Sequence, residues 1–114
     1  MSGWLGRGDR IPGFGHRLYP DGDPRANAIL AAVQPGPQLS AVKREVEERI
    51  GRMANVDFAL AALTRTLDLP AEAPFCMFAL GRSAGWIAHA LEQQQSGALI
   101  RPRARYVGPA PLTD

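Results

Sequence analysis

The sequence predicts an all-α domain, and three observations lead there. Apolar residues recur at three- and four-residue spacings through most of residues 24–96. Prolines and Asx residues stand where helices start, and glycines or Pro-Gly clusters stand where they stop. No pair of segments reads as strands joined by a turn. With 114 residues, the chain has the length of one ordinary domain, 1–114.

The elements follow in order. Residues 1–23 hold Gly3, Gly6, Gly8, Pro12, Gly13, Gly15, Pro20 and Gly22, which forbid a long helix after about Leu5 and predict a loop. Ile11, Phe14, Leu18 and Tyr19 are spaced through it as anchors, so the loop is expected to be ordered. Asp23-Pro24 is an N-cap followed by proline at the first helical position, starting a short helix that runs to about Val33. Gln34-Pro35-Gly36-Pro37 stops it.

From Gln38 to about Met53, Leu39, Val42, Val46, Ile50 and Met53 form one stripe and charged residues fill the other face, which predicts an amphipathic surface helix. Asn55 caps a third, more apolar and therefore more buried helix carrying Val56, Phe58, Leu60, Leu63 and Leu67. It ends before Leu69-Pro70, because proline pushes its predecessor out of the α region. Pro74 starts a fourth helix that runs to Gln95, with Gly97 placed for a left-handed C-terminal cap. Gly81 and Gly85 lower its helix propensity, so a close backbone approach or a ligand is expected beside them. Residues 97–114 read as an extended tail.

Composition narrows the function. The net charge of +2, from 13 Lys+Arg against 11 Asp+Glu, is too mild to indicate nucleic acid. No run approaches the roughly 18 apolar residues of a membrane helix, and residues 1–10 lack the apolar segment of a signal peptide. A soluble cytoplasmic protein is the expectation. Cys76 cannot form an internal disulfide, and among Phe75, Met77 and Phe78 it reads as a buried thiol.

Several residues could carry chemistry. His16 follows Gly13-Phe14-Gly15, where two glycines let backbone N–H groups and a side chain face one ligand closely; a loop histidine bonded to a carbonyl is the plainer alternative. Asp57 lies in the first turn after Asn55, where the helix dipole favours a carboxylate by about 0.3–1 kcal/mol, and position alone makes it an ordinary helix-start acid. Arg82 interrupts an apolar helix beside Gly81, Ser83, Ala84 and Gly85, and is expected to be buried and to need an anion. Arg25 opens the first helix, and Arg101, Arg103 and Arg105 alternate along the tail, where solvation or surface ion pairing is the plain reading. His89 reads as a half-buried structural residue. His16, His89 and Cys76 are too far apart for metal-ligand spacing, and no phosphate-binding, dinucleotide or nucleophile-elbow motif occurs.

The order and spelling of four motifs add more. Gly13-Phe14-Gly15-His16-Arg17-Leu18-Tyr19-Pro20-Asp21-Gly22-Asp23-Pro24-Arg25 closely resembles the signature of the citrate synthase family, which includes 2-methylcitrate synthases. Asn55-Val56-Asp57-Phe58, Gly81 to His89 and Ile100-Arg101-Pro102-Arg103 resemble that family's later motifs in the same order. The resemblance runs from about Trp4 to Gly108 and corresponds to the C-terminal third of a full family member.

The resemblance implies a helical bundle like the C-terminal small domain of citrate synthase, and a Claisen-type condensation of acetyl-CoA, or a related acyl-CoA, with oxaloacetate or a similar 2-oxo acid. Asp57 would be the general base and His16 would polarise the ketone. Arg25 and Arg82 would hold carboxylates, Phe78 would pack beside the substrate, and Arg101 would reach a neighbouring subunit's site. Backbone groups of Ile11, Pro12, Gly13, Phe14 and Gly15 would line the CoA path. No metal or cofactor is implied beyond acyl-CoA as substrate.

The family's upstream His-Gly-Gly histidine has no counterpart among these residues, and one lost oxyanion donor lowers rates by roughly 10²–10³. The expectation is negligible condensation by this chain alone, with a partner polypeptide supplying the missing histidine and a homodimer or larger oligomer as the assembly. The alternative is a non-catalytic binding or oligomerisation module. An exposed apolar patch involving Trp4, Leu60 and Trp86 is expected where further protein docks.

Overall fold

The computed structural model describes residues 11–101 together with 105, 107 and 108. The expectations for Trp4 and the rest of residues 1–10, for Pro102, Arg103 and Tyr106, and for residues 109–114 lie outside the described residues. Four helices follow in order: α1 (Pro24–Val33), α2 (Pro37–Ile50), α3 (Val56–Thr66) and α4 (Ala73–Ser96). The all-α class holds.

The caps explain the boundaries. Asp23 Oδ1 accepts from the Arg25 N–H at 3.0 Å and Pro24 opens α1, while Gln34 leaves it in a left-handed conformation. Asn55 Oδ1 accepts from the Asp57 N–H at 3.0 Å at the start of α3. The second helix ends at Ile50, three residues before Met53 where its apolar stripe had suggested. Gly51, at φ +62°, takes the left-handed position after it and donates to the Glu47 carbonyl at 2.9 Å. Residues 52–54 are thereby freed from the helix, and Glu47 Oε1 accepts from the Ala54 N–H at 2.8 Å.

The chain forms two compact units that part between Arg82 and Ser83, inside α4. In the first, α1 packs against α3. Ala26 and Ala59 are fully buried, and such small side chains let two helices approach closely. Beside them Phe14, Val46 and Ala54 form a core cluster with Ile11, Ile50 and Phe58 against it, and the Phe14 and Phe58 rings lie 5.2 Å apart. The third helix buries Ala59, Leu60, Ala62 and Thr64 where α2 buries only Val46, as their compositions predict.

Several burial expectations are corrected. Leu18 is exposed, so of the proposed loop anchors only Phe14 and Ile11 serve the core. Leu60 is buried and Trp86 exposed, so they do not form one exposed patch. Cys76 is exposed, as is its neighbour Phe75, because no described residue covers that face of α4. In the second unit His89 is exposed and its Nδ1 lies 3.2 Å from Glu92 Oε2 across one helical turn. No helix among the described residues is long and apolar enough to cross a membrane. Phe14 and Ala54 also form an isolated antiparallel bridge, the single strand-like pairing among the described residues.

Candidate active site

His16 sits on a loop that is stitched to the segment between α2 and α3. The Gly15 N–H donates to the Met53 carbonyl at 2.7 Å, the Asn55 N–H donates to the Gly13 carbonyl at 2.9 Å, and Asn55 Nδ2 donates to the Gly15 carbonyl at 3.0 Å. Gly13 and Gly15 both have left-handed φ values, +85° and +79°. A Cβ on Gly13 would lie 3.2 Å from Phe58 Cβ, and one on Gly15 would lie 3.1 Å from Arg52 Cδ. The chain's own packing therefore requires these glycines, independently of any ligand.

The His16 ring lies against Tyr19, with centroids 4.9 Å apart. Its Nδ1 is 3.2 Å from the Leu18 N–H, and its Nε2 is 3.3 Å from Arg25 Nη2. Both neighbours are donors, and a neutral ring has one bare nitrogen, so the ring accepts from one of them at a time. When Nδ1 accepts from Leu18, Nε2 carries the proton and can donate it to a substrate oxygen.

Asp23 organises the cationic side. Its carboxylate is buried and accepts from Arg25 Nε and Nη2, each at 2.9 Å, as well as from the Arg25 N–H and the Val56 N–H at 3.0 Å. The hydrogen bonds from Arg25 hold the Asp23 carboxyl below the usual carboxylate range, against the opposing effect of burial. In return, chiefly through that bonding, Arg25 is pushed further above its ordinary range, and the charge of Asp57 adds to the effect. The guanidinium also lies over the Tyr19 ring, 5.5 Å from its centroid. His16, Arg25 and Asp57 thus belong to one neighbourhood, joined by Asp23, which bonds both Arg25 and the first turn of α3.

A cavity of about 380 Å³ opens beside Arg25, lined also by Ile29, Val56, Leu60, Phe78, Gly81 and Arg82. Arg82 is exposed and not buried as expected, since apolar residues flanking it along the same helix point in other directions and do not cover it. No described residue comes within 4 Å of a Cβ built on Gly81, so a close backbone approach does not explain that glycine and open cavity space does. Arg101 is exposed and belongs to the second unit. A second cavity of about 390 Å³ is lined by Phe14, Gly15, His16, Arg17, Pro20, Gly51 and Arg52. No three His, Cys, Asp or Glu side chains among the described residues cluster as a metal site would need.

The sequence model of the citrate synthase C-terminal domain matches residues 2–103. The chain belongs to the citrate synthase family. The putative citrate synthase 2 of Mycobacterium tuberculosis is 39% identical over 97% of this chain and 33% of its own length. The citrate synthase of Haloferax volcanii is 39% identical over 91% of the chain and 30% of its own length. The 2-methylcitrate synthase 1 of Corynebacterium glutamicum is 35% identical over 92% and 31%. The chain spans about a third of the length of the curated relatives it matches.

Within this citrate synthase domain, sequence reasoning missed two residues. Asp23 was legible as a helix cap, but its bond to Val56 crosses 33 positions and left no local signal. Arg52 was read as part of the second helix; the signal that could have moved it to the cavity was Gly51, a favoured helix stop.

Proposed function

We propose that the chain carries the oxo-acid half of a citrate synthase-type active site, catalysing condensation of an acyl-CoA with oxaloacetate or a similar 2-oxo acid once a further polypeptide segment completes it. The observation that carries this reading is the placing of His16 Nε2 3.3 Å from Arg25, with the Asp23 carboxylate bonding both Arg25 and the first turn of α3, where Asp57 stands. Arg82 lines the same cavity as Arg25 and supplies a second cation for a dicarboxylate.

In this reading Asp57 takes a proton from the carbon next to the thioester carbonyl. The carbanion so formed attacks the ketone carbon of the oxo acid, and the ketone oxygen, which gains the electron pair, is met by the proton on His16 Nε2. Arg25 and Arg82 hold the carboxylates, Phe78 packs beside them, and Arg101 acts in a neighbouring subunit's site. The loop from Ile11 to Gly15 follows the CoA. A histidine acting on the thioester carbonyl comes from outside this chain's residues, so condensation by the chain alone is negligible.

The exposed Phe75, Leu80, Ile87 and Leu91 on α4 favour association through that helix, as a homodimer or with a chain carrying the missing histidine. The same feature favours the second reading, a non-catalytic module that binds through α4 alone. Isothermal titration with oxaloacetate and with CoA separates the two. Saturable oxaloacetate binding that is lost in Arg82→Ala and His16→Ala supports the half-site. No heat from either ligand with folded protein sinks it and leaves the module.

A further inference from the structure

We propose that Glu47 is a positioning residue for the candidate active site, acting on His16 and Asp57 through the amide of Ala54. Glu47 lines neither of the two cavities, and its effect runs through the backbone that carries those groups. The consequence for oxo-acid binding rests on the proposed function, whereas the hold on the backbone stands on this geometry alone. Of the three glutamates of α2, Glu45 and Glu48 are exposed and Glu47 is half-buried. Both of its carboxylate oxygens are engaged, Oε1 by the Ala54 N–H and Oε2 by Lys43 Nζ, each at 2.8 Å.

The pairing of Phe14 with Ala54 makes an outside acceptor necessary. In an antiparallel pair, facing residues either exchange both hydrogen bonds or leave the bonding to their neighbours. Phe14 and Ala54 are of the second kind, because the Gly15 N–H bonds the Met53 carbonyl and the Asn55 N–H bonds the Gly13 carbonyl on either side of them. The Ala54 N–H therefore points away from the His16 loop. Ala54 is buried, and a buried donor without a partner is costly. Gly51 turns the chain out of α2 in the left-handed conformation, and Glu47, seven positions before Ala54, supplies the oxygen.

The Ala54 N–H and the Met53 carbonyl belong to one planar trans peptide unit. Its N–H is held by Glu47 at 2.8 Å, and its carbonyl receives the Gly15 N–H at 2.7 Å. Turning the plane toward another acceptor at one end breaks the bond at the other. Glu47 thus fixes the unit on which the residue before His16 rests. The next residue, Asn55, is bound to both Gly13 and Gly15 and accepts the Asp57 N–H on its side chain. One carboxylate on α2 in this way sets the backbone from which the ketone-polarising histidine and the base both project.

The test combines amide hydrogen exchange with oxaloacetate calorimetry on the folded chain, for the parent protein and for Glu47→Ala, Glu47→Gln, Glu47→Asp and Lys43→Ala. Glutamine keeps the reach and the acceptor but loses the charge. Aspartate keeps the charge and loses the reach, and it replaces the alanine variant if that one does not fold. The expected result is exchange faster by about tenfold or more at Gly15 and Asn55 in Glu47→Ala and Glu47→Asp, with Leu63 in the middle of α3 changed less. Glu47→Gln and Lys43→Ala exchange like the parent. Oxaloacetate affinity falls by about tenfold in the alanine and aspartate variants and returns to the parent value with glutamine. Equal acceleration at Leu63 shows a merely structural role and overturns the proposal, as does glutamine behaving like alanine, or unchanged oxaloacetate affinity in Glu47→Ala. If the folded parent binds no oxaloacetate, the proposed function falls, and the exchange pattern alone decides whether Glu47 holds the His16 loop.

Discussion

Asp23 grips Arg25 through two hydrogen bonds of 2.9 Å each, Nε to Oδ1 and Nη2 to Oδ2, from a carboxylate that solvent does not reach. The same carboxylate accepts from the Val56 N–H at 3.0 Å, so one side chain caps α1, orients a cation and receives a backbone donor from the start of α3. Three tasks converge on it because α1 and α3 pack together with their N-termini meeting at this point.

Replacing Asp23 by alanine removes the N-cap, worth about 0.5–2 kcal/mol, and strands the Val56 N–H, a further ~1–3 kcal/mol. The ion pair adds less, because the Arg25 side chain is 46% exposed and solvent screens it. Urea unfolding followed by circular dichroism should show a loss of about 2–4 kcal/mol for Asp23→Ala. A change below about 0.5 kcal/mol contradicts this account of the junction.

The pH dependence has a definite sign. Because the Asp23 pKa is lowered by Arg25 in the folded chain, its contribution to stability is fully present above the unfolded aspartate value near 3.8 and is lost as pH falls through the lower folded value. The raised Arg25 pKa contributes throughout the acid and neutral range, since that side chain stays charged there in both states. Thermal unfolding measured from pH 6 down to pH 2 should therefore fall more steeply below about pH 4 for the parent than for Asp23→Asn, the two curves running parallel above it. Parallel curves through the acid limb as well rule out the assignment.

Gly81→Ala separates stability from binding. The residue is helical with open space where a Cβ would go, so alanine should raise stability by about 0.5–1 kcal/mol. The same methyl group narrows the cavity shared by Arg25 and Arg82. Calorimetry should find weaker oxaloacetate binding in a protein with a higher melting temperature, and unchanged affinity would detach Gly81 from the site.

Gly13→Ala should act in the opposite way. Its φ of +85° and the 3.2 Å approach to Phe58 Cβ each oppose a side chain, and the neighbour is a fixed helical residue with little room to yield. A loss of about 1–3 kcal/mol is expected in denaturant unfolding.

The helices were legible because their start signals are local: Asp23-Pro24 and Asn55 cap through bonds two residues away. The site was legible in part. His16 Nε2 lies 3.3 Å from Arg25, Asp57 stands in the first turn of the helix whose Val56 N–H bonds Asp23, and Phe78 and Arg82 line a cavity with Arg25. What sequence could not supply was cover. Cys76 and Arg82 were expected to be buried because apolar residues flank them, but flanking residues on a helix point in other directions, and burial needs a facing element. Arg52 was obscured by its fit to a helical stripe that Gly51 had already ended.

The stitching of the His16 loop to residues 53–55 also bears on how the chain opens. Three hydrogen bonds join Gly13 and Gly15 to Met53 and Asn55, and Asn55 is at the same time the cap of α3. The loop cannot peel away without releasing the first turn of the helix that carries Asp57. Two groups some forty positions apart are thereby placed in one cooperative unit of local unfolding, and the amides of Gly15 and Asn55 should exchange with deuterium at a common opening free energy.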